Sequence, residues 1–561
     1  MLALVMCLSV SVMFSSCGED DNTNDSDGNG TQSTREDQNR DIVLAENGET
    51  KYTLIYSNTA ENAVVSAVKA FQSVFEAKTG VKLSYDLDSK KGTDYEIIIG
   101  NTKRDESKAV EESVGYLEYT MELVGNKIII FGYTAMGISK CLNTLGNKLT
   151  VKDGVCTYNG ENNISGVEHE PFSHVPKYEG GNIQGFYNCD DDVYQLSINK
   201  TDAEDYYKFI AKLEPAGYTL YASNEIGDCR FATYTKDNEQ VHVAFYPALG
   251  QCKIFAEETS YLPATEAENY TRVVTSSVMM PENDYRGLGI VFQIADGSFI
   301  IVDGGDTDSS GDPQGQVPRN LYNLLNQYKV GDKIKISAWI FTHAHDDHMT
   351  GALSFLETYH DKVEVDLFAY NFPTYEALKD AKDGPKSESA HKNYEQTLKG
   401  LRNKYYTDAQ IFKFHTGQEL KICDATVEFY YTQEDYYPLK FPYGNHTSAG
   451  FIVDIGGTRT LVLGDMEVEC NERMAKAYGT AVDCDILSPA HHGLNGGTLT
   501  LYNLMTPDIC LWGTIKDKFD RTEYNGIRSV RGYEHSMYLI TNVKTHYTYE
   551  EPVRVELPLK S

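Results

Sequence analysis

The chain has 561 residues and carries 50 Lys and Arg against 82 Asp and Glu, a formal charge of −32. At about 150 residues per domain this length implies three or four domains and excludes a single small module. The acidic field repels phosphate backbones and anionic lipid surfaces, which disfavours nucleic acid as a partner, while 41% hydrophobic and 24% charged residues exclude a chain disordered throughout.

In chain order, residues 2–14 (LALVMCLSVSVMF) form an apolar run too short for a spanning helix and of the right length for a signal-peptide core. It ends at Ser15-Ser16-Cys17, and the acidic, polar stretch GEDDNTNDSDGNGTQST follows. Small residues before a Cys and a polar run after it resemble the processing site of a bacterial lipoprotein. That resemblance implies lipidation at Cys17 and a cell-surface or periplasmic protein held to the membrane by its N-terminus; an ordinary cleaved signal peptide is the alternative. Residues 18–41 lack large apolar side chains and are predicted as a disordered linker. The nine Cys beyond Cys17 have no CxxC spacing and are expected as small buried hydrophobes or an occasional bridge.

Between 42 and 170 the apolar pattern alternates between strand and helix: YTLIYS, the amphipathic ENAVVSAVKAFQSVFEAKTG ending at Gly80, DYEIIIGN and KIIIFGY. This predicts an α/β domain. With the later helix AMGISKCLNTLGNKL, it resembles the small N-terminal domains that precede catalytic barrels in some glycoside hydrolases, which implies an accessory role in a carbohydrate-rich setting. Residues 171–268 combine one predicted helix, TDAEDYYKFIAKLEPAG, with the runs YTLYASNE, RFATYTK, QVHVAFYPA and CKIFAEE, a small α+β domain. Its tyrosines (Tyr206, Tyr207, Tyr218, Tyr221, Tyr234, Tyr246) are read as covering a sheet rather than as a sugar-stacking platform.

Chemistry begins in the last segment, 269–561. GIVFQIADGSFIIVDGG is a pair of buried strands joined at Asp296-Gly297, the second ending at Asp303. The strand IKISAWIFT then runs into His343-Ala344-His345-Asp346-Asp347-His348. An H-x-H-x-D-H loop at a strand's C-terminal end lets imidazoles and a carboxylate converge on cations a few ångströms apart, and these donors suit Zn first, with Mn or Fe as alternatives.

This motif, and the order of those after it, resemble the metallo-β-lactamase superfamily, whose fold is an αββα sandwich with a metal site at one edge of its sheets. The resemblance implies two divalent cations, with His343 and His345 on one, Asp347 and His348 on the other, and Asp303 supporting the site by hydrogen bonds. It also implies a bridging Asp465 in RTLVLGDM and a last ligand in CDILSPAHHG, either His491 or His492. His446, in YGNHTSAGFIVDIG, is either a ligand of the first cation or a nearby positioning imidazole. That stretch and the HHG ending are similar to the hydrolase domain of bacterial DNA-uptake channels and to surface phosphorylcholine esterases. His535, Tyr443 or the spare one of His491 and His492 are candidates for protonating a leaving group.

The expected function is an extracytoplasmic binuclear metal-dependent hydrolase of a phosphodiester or related ester, using metal-bound hydroxide on a small-molecule or envelope- or glycan-linked substrate. The alternatives are a lactone or amide hydrolase and a surface glycan-binding lipoprotein whose hydrolase-like domain is inert.

Overall fold

The computed structural model describes residues 40–559 apart from 169–171, 173, 191–192, 260, 284–286, 308–314, 495, 517–518 and 520–532. The candidate signal segment, Cys17 and nearly all of the predicted linker lie outside the described residues. No helix among the described residues is long and apolar enough to cross a membrane.

The N-terminal part is built on a six-stranded sheet in the order Ser84–Leu87, Thr53–Tyr56, Glu96–Ile99, Lys127–Gly132, Glu118–Val124, Ile164–Val167. Its first four strands pair in parallel and its last two antiparallel. Helix Asn62–Thr79 buries Val64, Val68, Phe71 and Phe75 at helical spacing, and Gly80 ends it at φ 72°. Next comes a six-stranded antiparallel sheet in the order Asn182–Asp190, Val193–Asn199, Gln251–Glu258, Glu239–Tyr246, Cys229–Lys236, Thr219–Ile226. Two differences from the sequence reading stand out here. Strands Asn182–Asp190 and Val193–Asn199 were not anticipated, and the predicted helix through Gly217 stops at Ile210. Pro215 disfavours helical backbone at the residue before it, and Gly217 adopts φ 94°. Tyr206, Tyr218, Tyr234 and Tyr246 are buried, so they cover the sheet and form no exposed platform.

The C-terminal part is a two-sheet sandwich. One sheet runs Gln410–Phe412, Leu367–Ala369, Ile334–Ile340, Phe299–Asp303, Gly289–Gln293, Ser277–Met280, Val553–Glu556. The other runs Glu419–Ile422, Ala425–Tyr431, Gly450–Ile455, Thr458–Val462, Ile486–Ser488, Ile509–Leu511, Thr545–Tyr547. Alternation along single strands decides the layers. Ile300, Val302 and Ile340 enter the core between the sheets with Val427, Phe451 and Val462. Ile301 and Trp339 point the other way, into a core shared with helices Gln316–Tyr328 and Asp346–Thr358. Both faces of these strands are therefore buried, which is why they read as unbroken apolar runs, and each large side chain so buried contributes about 1.5–3 kcal/mol. Helix Val468–Tyr478 covers the second sheet in a core that also takes in Phe231 and Tyr246 of the antiparallel sheet. The whole is a mixed α/β protein ending in an αββα sandwich. All nine Cys from Cys141 onward are free, and eight of them are buried.

Candidate metal centre

Four separate segments meet at one edge of the sandwich. Strand Phe299–Asp303 ends with Asp303 at φ 53°, where its carboxylate accepts from the Thr342 N–H at 2.8 Å, the Thr342 hydroxyl at 2.7 Å and His348 Nδ1 at 2.7 Å. The parallel neighbour Ile334–Ile340 delivers Thr342 to His345, and His345 is the N-cap of helix Asp346–Thr358. That helix presses its first turns onto the Gly304-Gly305 turn. The Gly304 N–H donates to His348 O at 2.8 Å, and a Cβ on Gly351 would lie 1.9 Å from the Gly304 carbonyl oxygen. Only glycine at 351 permits this approach, which sets His348 against Asp303.

Asp465 follows strand Thr458–Val462, its N–H donating to Ser448 Oγ at 3.1 Å. His491 and His492 lie in the turn after Ile486–Ser488 with φ of 51° and 55°. This left-handed backbone is strained for non-glycine residues. The turn is braced from behind: Tyr502 OH accepts from the Ala490 N–H at 3.1 Å, and the His491 N–H donates to Gly464 O at 2.8 Å.

One ligand atom each from Asp347, His348, Asp465 and His492 lies within 4.8 Å of the others, and all four residues are buried. His492 Nε2 stands 3.2 Å from Asp347 Oδ2 and 3.4 Å from Asp465 Oδ1. Its neighbour His491 instead faces Glu467 Oε1 at 3.4 Å, with Asp465 Oδ2 at 3.6 Å. The geometry thus groups His492 rather than His491 with the other three. His343 and His345 form the other half of the cluster, with ring centres 4.5 Å apart and His343 4.2 Å from His348.

The donor set suits divalent cations. His348 Nε2 and Asp465 Oδ1 are 3.1 Å apart yet not aligned as a hydrogen bond, and these atoms and His343 Nε2 are buried with no hydrogen-bond partner among the described residues. Lone pairs converging on a shared point, rather than on each other, are what a bound cation requires and what an apolar core would expel. The electrostatics divide the cluster: against burial, Asp465 and Asp303 raise His348 well above its usual range, whereas His343 and His345 are lowered. Burial, reinforced by His348 and His345, pushes the His343 imidazole well below its usual range, and burial lowers His345, so both favour the neutral, ligating form. Burial would raise Asp347 and Asp465, but the surrounding imidazoles, His492 and His348 foremost, hold both below the usual carboxylate range. Asp303 accepts from Nδ1 of His348 and so leaves its Nε2 lone pair toward the cluster. An Asp303→Asn variant should fold and bind zinc about 10–100-fold more weakly in chelator competition; unchanged affinity would remove Asp303 from the site.

Three candidates stand elsewhere. His446 was read as a ligand or a positioning imidazole; its Nε2 lies 3.3 Å from Glu469 and its Nδ1 3.3 Å from the Tyr443 carbonyl oxygen, and Tyr436 and Tyr443 flank the ring. It faces the pocket lined by Lys382, Tyr443, Glu467 and Glu469. Its short loop turns the side chain toward helix Val468–Tyr478 and away from the four-residue group. His535 packs on Tyr502, with ring centres 5.5 Å apart, and burial lowers it to about 4. It packs behind Tyr502, whose hydroxyl braces the His491-His492 turn. Tyr443 is 40% exposed beside the same pocket as His446.

One imidazole escaped the sequence reading. His391, on helix Gly384–Tyr405, is buried with its ring centre 6.0 Å from that of His345. The available signal was the stripe His391, Glu395, Leu398, spaced i, i+4, i+7 on an otherwise polar helix.

Residues 289–420 match the Metallo-beta-lactamase superfamily. A search of curated proteins finds no match. Among solved structures, the metallo-beta-lactamase fold protein YhfI from Bacillus subtilis is 12% identical, covering 50% of this chain and 100% of that one, with a TM-score of 0.31. CmlA, a diiron beta-hydroxylase from Streptomyces venezuelae, is 11% identical over 52% of this chain and 55% of its own length, at a TM-score of 0.30. Zn(2+)-bound PqqB from Methylobacterium extorquens is 11% identical over 48% and 87%, at 0.26. The C-terminal part of the chain, through residues 289–420, carries a metallo-beta-lactamase superfamily domain, a fold whose members are generally binuclear metal-dependent hydrolases.

Proposed function

We propose that this protein is an extracytoplasmic binuclear metal-dependent hydrolase that cleaves a phosphodiester or related ester. The observation that carries the reading is the set of buried ligand atoms gathered from distant segments, of which His343 Nε2, His348 Nε2 and Asp465 Oδ1 have no hydrogen-bond partner among the described residues. Asp347, His348, Asp465 and His492 would hold one cation, and His343 and His345, with Asp465 between the two halves, the other. When bound, such a pair acidifies a coordinated water and polarises a phosphoryl or carbonyl oxygen. The chain's own residues orient and move protons around that centre. Asp303 holds the His348 ring, and the half-buried His491, beside Asp465 and Glu467, stands where a leaving oxygen can take a proton at Nε2.

The charge of −32 favours a small or zwitterionic phosphodiester over a long polyanion. The Ser15-Ser16-Cys17 segment supports a lipid-anchored, surface or periplasmic setting. The test is elemental analysis of protein purified without chelators, followed by assays on bis(p-nitrophenyl) phosphate and on a lactone. Two equivalents of Zn, Mn or Fe, with diester hydrolysis that a chelator abolishes and the metal restores, is the expected result. A protein that neither retains nor takes up metal would sink the proposal, and faster cleavage of the lactone would reassign the scissile bond.

A further inference from the structure

Deepening the hydrolase reading above, on which it rests, we propose that the scissile ester is carried on a neutral carbohydrate chain. That chain lies in a trough running from the metal centre along helix Val468–Tyr478 to the antiparallel sheet. The pocket beside His446 has a volume of about 310 Å³ and reaches the metal centre through Glu467, whose Oε1 stands 3.4 Å from His491 Nδ1. A second cavity of about 860 Å³ extends to Asn199 and Gln251 of the antiparallel sheet. Glu469 lines both, so the two adjoin. The second cavity alone has the size of a ligand cleft, roughly 300–1,000 Å³, so the pair exceeds what a small diester fills.

The walls have the character of a sugar site. One is a helix face: Glu469, Glu472 and Lys476, spaced i, i+3, i+7, are exposed, while Cys470, Met474 and Ala477 hold the opposite face in the core. The other is the segment 436–443, which leaves Leu439 59% and Tyr443 40% exposed, an apolar edge on which the C–H face of a pyranose packs. Tyr437 of the same segment leans on Tyr187 of the antiparallel sheet, with ring centres 5.8 Å apart. At the far end Arg473 donates to Gln251 Oε1 at 2.8 Å, and Gln251 Nε2 donates to Asn199 Oδ1 at 2.8 Å. These links fix the sheet against the helix, so the walls are set before a ligand arrives. Charge then selects the class. Arg473 pairs with Asp435 at 3.4 Å, which leaves Glu467, Glu469 and Glu472 against Lys382 and Lys476. Among the described residues the lining has no basic stripe for a phosphate or uronate chain. Carboxylates that accept and ammonium groups that donate, beside tyrosine and leucine surfaces, match the hydroxyls and C–H faces of a neutral sugar.

The experiment measures binding of the full chain to immobilised neutral, amine-bearing, uronic-acid and sulfated oligosaccharides, with zinc loaded and after chelation. It compares the wild type with Glu472→Gln, Tyr443→Ala and Tyr207→Ala, each checked by circular dichroism; Tyr207 is 53% exposed on helix Ala203–Ile210, outside the trough. The wild type should bind neutral chains best, more tightly as they lengthen, and should do so with or without zinc. Glu472→Gln and Tyr443→Ala should weaken that binding at least about tenfold, and Tyr207→Ala should not. No binding to any neutral chain, a preference for charged chains, or an equal loss in Tyr207→Ala would overturn the trough. Two equivalents of zinc in that same protein would leave the binuclear reading standing. Glycan binding by a chain that takes up no zinc would keep the trough as a binding site and overturn the hydrolase reading.

Discussion

Asp465→Asn should lose at least about 1,000-fold in kcat/KM, equivalent to about 4 kcal/mol of transition-state stabilisation, and should fail to hold two cations. The carboxylate lies 3.1 Å from His348, 3.4 Å from His492 and 3.6 Å from His491, and its charge also acts on His343 and His345. It lies within 4 Å of three imidazoles, against two for Asp347. An Asn amide would keep the volume but remove the negative charge that the two proposed cations would share, and its N–H would compete for the lone pair on His348 Nε2. Kinetics on the diester and elemental analysis of the same preparation decide the matter. A variant with two retained equivalents would show that Asp465 does not bridge.

The second large effect concerns stability. His415 is buried between two carboxylates, with Nδ1 2.8 Å from Glu434 and Nε2 2.8 Å from Glu257, and it stacks on His242 at 5.0 Å. Glu257 belongs to the antiparallel sheet and Glu434 to the sandwich, so one imidazolium joins the two parts. Burial alone would lower His415, but Glu434 and Glu257 outweigh it and raise the group to about 10. His415→Gln leaves two buried carboxylates without their cation and should cost about 3–5 kcal/mol in urea unfolding.

The pH dependence has a definite sign. A folded-state value near 10, against about 6.5 unfolded, means the His415 contribution is complete below about pH 6.5 and is lost as pH rises toward 10. Lys253 works in the opposite direction over part of this window: burial, then Arg473, lowers it to about 7, so folding sheds its proton and that contribution improves as pH rises. Lys413, lowered by burial to about 8, acts like Lys253, and His242 is held neutral by burial and by His415. The difference between wild type and His415→Gln, measured from pH 6 to 10, isolates the first term and should shrink steadily with pH. A constant difference would mean that His415 is neutral and held by hydrogen bonds alone.

The H-x-H-x-D-H loop, Asp303 and Asp465 were legible in the sequence because each sits at the end of an unbroken apolar run, and a strand buried on both faces announces itself by composition. Other features depended on side-chain direction or on distant partners. His491 and His492 are adjacent, and their left-handed φ values, fixed by the brace from Tyr502 and Gly464, decide which ring meets Asp347. His446 lies in a short turn whose direction no periodicity encodes. His391 and the Glu257–His415–Glu434 triad join residues from separate layers, and strands Asn182–Asp190 and Val193–Asn199 are stabilised by pairing more than by a strong apolar pattern. The sequence by itself therefore determined the layered α/β architecture and the kind of donor at the site, since burial period and residue chemistry are local properties. Only the tertiary structure decided which imidazoles face which carboxylates, because that depends on turns and helices brought together by packing across many residues.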